Sequence, residues 1–283
     1  MAKFRISSDN ILQTPGRQEI IETLLHEAAA TKLPTDEGKI LDFLDLGQLS
    51  FDFMHEVDFL PKNQGKAAEI RAALSINDRL VVTQSGLSEK RRRFGIFHEI
   101  GHFISAEHRD LFTDTDATLS WLNKVRMERE ANEIAAELLF QGNRFTEESL
   151  NAATSIRTVL ELAPRYGASY ESALRRYTER HVLPVALAVF DKVPKDSSDE
   201  HEDEIEFKLQ YTITSPIFRR KYFSALASKE PVNQADFFGD GRYPNDIEEQ
   251  RLTVEAADGH SWNFETEIFT NSYKLFQFIL RPA

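Results

Sequence analysis

Residues 98–102 read His-Glu-Ile-Gly-His, and two histidines four positions apart act together only on a helix. At about 100° per residue the two stand one turn apart and about 40° apart around the axis, so both rings can hold one zinc ion. Glu99 falls beside that face, within reach of a water polarised by the ion without being a ligand itself. The flanking residues supply the helix. Ser88 is placed to cap it, and the pattern predicts a helix over residues 89–106. Phe94, Phe97, Gly101 and Ile104 put it against a core. Two exposed histidines on a polar helix would need no such apolar side.

A catalytic zinc takes three protein ligands and keeps one position open. The third ligand is sought in the helix predicted over residues 124–139, which carries Glu128, Glu130, Glu133 and Glu137. On a helical wheel Ala131, Asn132, Ala135, Leu138 and Leu139 lie around Glu128, while Glu130, Glu133 and Glu137 lie on the opposite, polar side. A carboxylate in the middle of an apolar face is costly unless paired. Zinc is the partner expected here; an arginine or a backbone group is the alternative. Asn132, one turn beyond Glu128, could accept a hydrogen bond from the free ring N–H of a liganding histidine. Of the aromatic residues downstream, Tyr166, Tyr170 and Tyr177 are candidates to donate to an oxyanion in a transition state.

The chain of 283 residues carries 34 basic against 46 acidic side chains, a net charge of −12. That balance argues against direct nucleic-acid binding by bulk charge. The densest basic run, Lys90-Arg-Arg-Arg93, opens the histidine helix and is expected to be neutralised by nearby carboxylates. No cysteine is present, which excludes disulfides, thiolate metal sites and cysteine nucleophiles. No apolar run approaches the ~20 residues that span a bilayer. The N-terminal residues lack the apolar core and cleavage site of a signal peptide, so the expected location is the cytoplasm.

Periodicity predicts helices over 16–30 and 36–46, with the opening third of the chain helical. A hairpin with a tight two-residue turn at Asn77-Asp78 is expected over 72–83. Gly142 ends the second site helix. Thr146 is expected to open another helix, residues 163–168 to form a turn, and Ser169 to open a helix reaching Arg180. From Pro184 the pattern shifts to short apolar runs, with strands near 185–190, 211–213, 252–256 and 275–280 and an acidic solvated loop at 195–204. The expected class is α+β: a metallopeptidase domain over 1–145 with a small β-hairpin or sheet, a helical segment over 146–183, and a β-rich module over 184–283 for recognition or sensing.

His98-Glu-Ile-Gly-His102, preceded by Arg91-Arg-Arg-Phe-Gly-Ile-Phe97 and followed by Glu128-Arg-Glu-Ala-Asn-Glu-Ile-Ala-Ala-Glu-Leu-Leu139, resembles the ImmA/IrrE family of metallopeptidases. The resemblance extends over residues 67–177 and takes in Tyr166-Gly-Ala-Ser-Tyr170 and Leu174-Arg-Arg-Tyr177. It departs at Ile134, where the family carries Phe, and at Phe140-Gln141, where the family carries Met-Pro. It implies a zincin-like fold of the gluzincin type, with zinc (or another divalent ion such as Mn²⁺) held by His98, His102 and Glu128, and Glu99 as the base. It also implies a site-specific endopeptidase whose protein substrate is a helix-turn-helix repressor, cut to switch on phage, mobile-element or stress genes. The alternative is a regulatory or binding protein with a structural metal and no peptidase activity; the intact Glu99 favours the enzyme. A transcription factor using 169–180 as a recognition helix is a third reading, and the overall acidity counts against it.

Overall fold

The first described helix, α1 (Arg17–Glu27), forms where Ile21, Leu24 and Leu25 line up on one side, and all three are buried. The computed structural model describes residues 17–53, 71–105, 121–193, 206–222, 232–233, 247–255, 261–271 and 274–282. The chain divides into two compact units, residues 1–145 with 165–168, and residues 146–164 with 169–283. Its class is mixed α+β.

In the first unit, Asp36 caps α2 (Glu37–Leu44) by accepting the Lys39 N–H at 3.2 Å. The helix stops at Asp45, whose backbone is left-handed at φ 56°. Next comes β1 (Gly47–Phe51), in a stretch expected to be helical. This strand exists because it pairs in parallel with β3 (Leu80–Gln84), Gly47 opposite Leu80. β2 (Ala72–Ser75) pairs antiparallel on the other side, giving the order β1-β3-β2. The expected hairpin is therefore present, but four residues connect its strands rather than two. Arg79 ends the connection with φ 52° and donates its backbone N–H to the Ile76 carbonyl at 3.2 Å.

Two helices follow in this unit, α3 (Glu89–Ile104) and α4 (Trp121–Phe140). Ser88 stands at the N-cap of α3 but makes no side-chain capping bond there, a correction to the expected cap. Instead its carbonyl receives the Arg92 N–H at 2.9 Å. The basic run is held by carboxylate, as expected: Arg92 Nη2 and Arg93 Nε donate to the two oxygens of Glu37 at 2.8 and 3.0 Å. Arg93 is buried and also donates to the carbonyls of Thr35 and Tyr166. Gly167 makes room for it. A Cβ at that position would lie 1.7 Å from Arg93 Nη1, and the backbone φ of 62° already favours glycine. Gly142 ends α4 in the same left-handed region, with its N–H on the Glu137 carbonyl at 2.8 Å.

After α4 the chain forms α5 (Arg144–Leu150) and α6 (Ile156–Arg165), where one helix opening at Thr146 was expected. The first starts two residues earlier than Thr146, straight after the Gly142 turn. The second includes Pro164 in its last turn, so the turn expected at 163–168 is confined to the residues around Gly167. α7 (Tyr170–Arg180) is capped by Ser169 as expected, its hydroxyl accepting the Ser172 N–H at 3.1 Å.

The strands of the second unit are β4 (Ala186–Val193), β5 (Glu206–Thr214), β6 (Val232–Asn233), β7 (Glu248–Glu255), β8 (Ser261–Thr270) and β9 (Lys274–Pro282). They form one antiparallel sheet in the order β6-β5-β4-β9-β8-β7. The four expected strands are all in it, whereas β6, β8 and the helix α8 (Pro216–Tyr222) were not expected. On one face Phe218 and Tyr222 of α8 pack with Ala186, Phe264 and Ile279. On the other, Tyr170 and Tyr177 of α7 meet Phe269 and Phe278, each at 5.6 Å between ring centroids. Glu267 of β8 accepts the backbone N–H of Ile156 at 2.5 Å and the Ser155 hydroxyl at 3.0 Å, capping α6 from outside its own sequence. The acidic segment 195–204 lies outside the described residues. Among the described residues no helix is long and apolar enough to cross a membrane.

Candidate metal centre

The site is built on the contact between α3 and α4. Gly101 makes that contact possible: a Cβ there would stand 3.0 Å from both the Cα and the carbonyl oxygen of Ala131, and 3.3 Å from Ile134 Cβ. Small residues on both helices let the two backbones approach, which brings the side chains of α4 within reach of the histidines on α3. The sequence reading used Gly101 only as part of an apolar side. A glycine inside an otherwise regular helix, where it costs about 1 kcal/mol relative to alanine, was the signal that a second backbone lies there.

His98 and His102 stand one turn apart as their spacing requires, with ring centroids 4.7 Å apart and ring planes at 80° to each other. Their Nε2 atoms are 3.1 Å from one another. Glu128 reaches both, with Oε2 3.2 Å from His98 Nε2 and Oε1 3.5 Å from His102 Nε2. These three side chains are the one group among the described residues able to hold a metal ion, each offering one ligand atom. The spacing suits zinc. Bonds of ~2.0–2.1 Å at tetrahedral angles put ligand atoms about 3.3–3.4 Å apart, close to the separations found. Two imidazoles and one carboxylate also match zinc's donor preference and leave one position free.

Glu128 was expected in the middle of the apolar face of its helix; it stands at the rim. The buried stripe of α4 runs through Met127, Ala131, Ile134, Ala135 and Leu138, and the Glu128 side chain is 60% exposed. Glu137, expected on the polar side, is buried at 8%. The wheel was centred on Glu128, whereas packing centres the stripe on Ala131, so the phase is rotated toward Glu137. A rim position leaves the cluster open to solvent on the Glu128 side. His102 lies at the inner end, 3% exposed.

The electrostatics follow from this convergence. Hydrogen bonds from His102 and then His98 hold the Glu128 carboxyl well below the usual carboxylate range. Burial pulls the His98 pKa down, but Glu128, Glu99 and Asn132 together outweigh it and the net shift is upward. Burial pushes the Glu99 carboxyl up, against the pull of His98 and His102. Glu99 is 7% exposed and is not among the three convergent ligands. Asn132 Oδ1 lies 3.1 Å from His98 Nδ1.

Tyr166 is a core residue of the first unit, fully buried with its ring 5.2 Å from Phe145 and 6.1 Å from Phe140. Tyr170 and Tyr177 are residues of the second unit, packed on its sheet, and burial pushes the Tyr177 phenol up to about 12.

Gly101→Ala is expected to lower both stability and metal affinity. The added methyl meets backbone rather than a flexible side chain, so the helices must separate, at ~1–3 kcal/mol for a well-packed contact. Denaturant unfolding and a zinc titration of the variant check this; wild-type values in both would mean that the helices are not held at this distance.

The profile of the IrrE N-terminal-like domain family (Peptidase_M78) matches residues 51–178. Over 159 residues the chain is 32% identical to the radiation response metalloprotease IrrE of Deinococcus radiodurans, an alignment covering 54% of this chain and 48% of that protein. The chain thus matches about half the length of that relative. Among solved structures, a transcriptional regulator of Mycobacterium tuberculosis is similar over 96% of this chain and 90% of its own, with a TM-score of 0.51 and 15% identity, a likeness of fold alone. The matched segment contains His98, Glu99, His102, Glu128 and Asn132, so the similarity to the IrrE N-terminal-like domain family takes in the whole candidate site.

Proposed function

We propose that the chain is a zinc-dependent, site-specific endopeptidase of zincin-like, gluzincin-type fold. The observation that carries this reading is the convergence of His98 Nε2, His102 Nε2 and a Glu128 carboxylate oxygen, with Glu99 beside them and outside the ligand set. A divalent ion held there supplies Lewis acidity and an acidified water. Glu99 is one residue from His98 on the same helix, so its carboxylate takes the proton from the attacking water and returns it to the departing amine. His98, His102 and Glu128 hold their positions throughout. In this reading residues 1–145 carry the chemistry, and the β-rich residues 184–283 select the target. The Deinococcus relative is a radiation response metalloprotease, which supports a role in a stress response. The substrate that the family resemblance favours is a helix-turn-helix repressor, cut to relieve repression.

The test uses the full chain loaded with zinc and a helix-turn-helix repressor encoded beside its gene. About one zinc per chain and a single cut mapped by mass spectrometry, abolished by a chelator, are expected. A tightly held zinc with every such repressor left intact would instead support a regulatory protein with a structural metal.

A further inference from the structure

We propose that Asn132 is the positioning residue of this centre, fixing which nitrogen of His98 faces the metal. This role rests on the metal reading above. A side-chain amide oxygen can only accept, so the 3.1 Å contact with Asn132 Oδ1 requires His98 Nδ1 to carry the hydrogen and donate it. The neutral ring then bears its lone pair on Nε2. That nitrogen is the one 3.1 Å from His102 Nε2 and 3.2 Å from Glu128 Oε2. Without the acceptor, His98 is free to adopt the other tautomer, whose N–H points into the cluster and cannot ligate. Asn132 lies one turn beyond Glu128 on α4, so one helix supplies both the third ligand and the group that orients the first.

The choice of residue points the same way. Asparagine is a weak helix former, and position 132 is an exposed place in the interior of a 20-residue helix. If Asn132 served only the helix, alanine would serve it better. Asn132→Ala should therefore leave the melting temperature of the metal-free protein unchanged or higher, while zinc affinity falls ~10- to 100-fold. A structural role predicts that the two fall together.

The experiment measures zinc affinity of the full chain by chelator competition, in wild type, Asn132→Ala, Asn132→Asp and Glu128→Ala, with melting of each metal-free protein. Asp keeps the acceptor and should restore affinity to at least the wild-type level. In the zinc-loaded wild type the His98 Nδ1–H should give a slowly exchanging proton resonance that Asn132→Ala loses. Wild-type affinity in Asn132→Ala, failure of Asp to rescue, or a loss matched by metal-free destabilisation overturns the positioning role while leaving the metal centre in place. Absence of zinc binding by the wild type overturns the metal reading, and this role with it.

Discussion

Glu99→Gln is expected to retain its zinc and lose peptide-bond cleavage, with kcat down by ~10²–10⁴-fold and KM little changed. The substitution keeps the shape of a side chain that is 7% exposed, so packing is preserved. It removes only the capacity to take and return a proton. Because Glu99 is outside the convergent ligand set, metal content should not change. Turnover of the repressor and zinc content per chain, measured on the same preparation, check both halves. Loss of zinc would move Glu99 into the ligand set, and unchanged turnover would remove it from the chemistry altogether.

The second large effect separates two glutamates on one helix. Glu128→Ala should weaken zinc binding by more than the ~10- to 100-fold that loss of an outer hydrogen-bond partner costs, since it removes a ligand. It leaves two imidazoles to hold the ion. Glu130→Ala should leave affinity close to wild type, because its carboxylate is not among the convergent atoms. A titration that ranks the two the other way would reject the assignment of the third ligand. Both variants change the same charge on the same helix, so a general electrostatic effect cannot mimic the difference.

The site was legible because its signals are local. The spacing of His98 and His102 puts them one turn apart on any helix, and Ser169 and Gly142 mark helix ends where the structure has them. Glu128 was found by a wheel whose phase was off. Identity survived that error because the rotation moved Glu128 only to the rim of the stripe, still facing α3. What the sequence did not show depends on distant partners. β1 pairs with residues 33 positions later, Gly47 with Leu80, and no local pattern announces that. The separation of α5 from α6 is sealed by Glu267, 111 residues beyond the Ile156 N–H it accepts. Read along the chain, Glu267 is an ordinary charge interrupting a strand; in the fold it is a cap.

The sheet order also has a consequence for synthesis. β9, the last of the described strands along the chain, does not join an edge; it lies between β4 and β8. Until residues 274–282 have emerged, β4 and β8 have no common partner, and each keeps one ladder edge unpaired. Pairing across such separations is slow to form. A nascent chain stalled or clipped just before Lys274 would therefore lack the middle of the second unit rather than its margin.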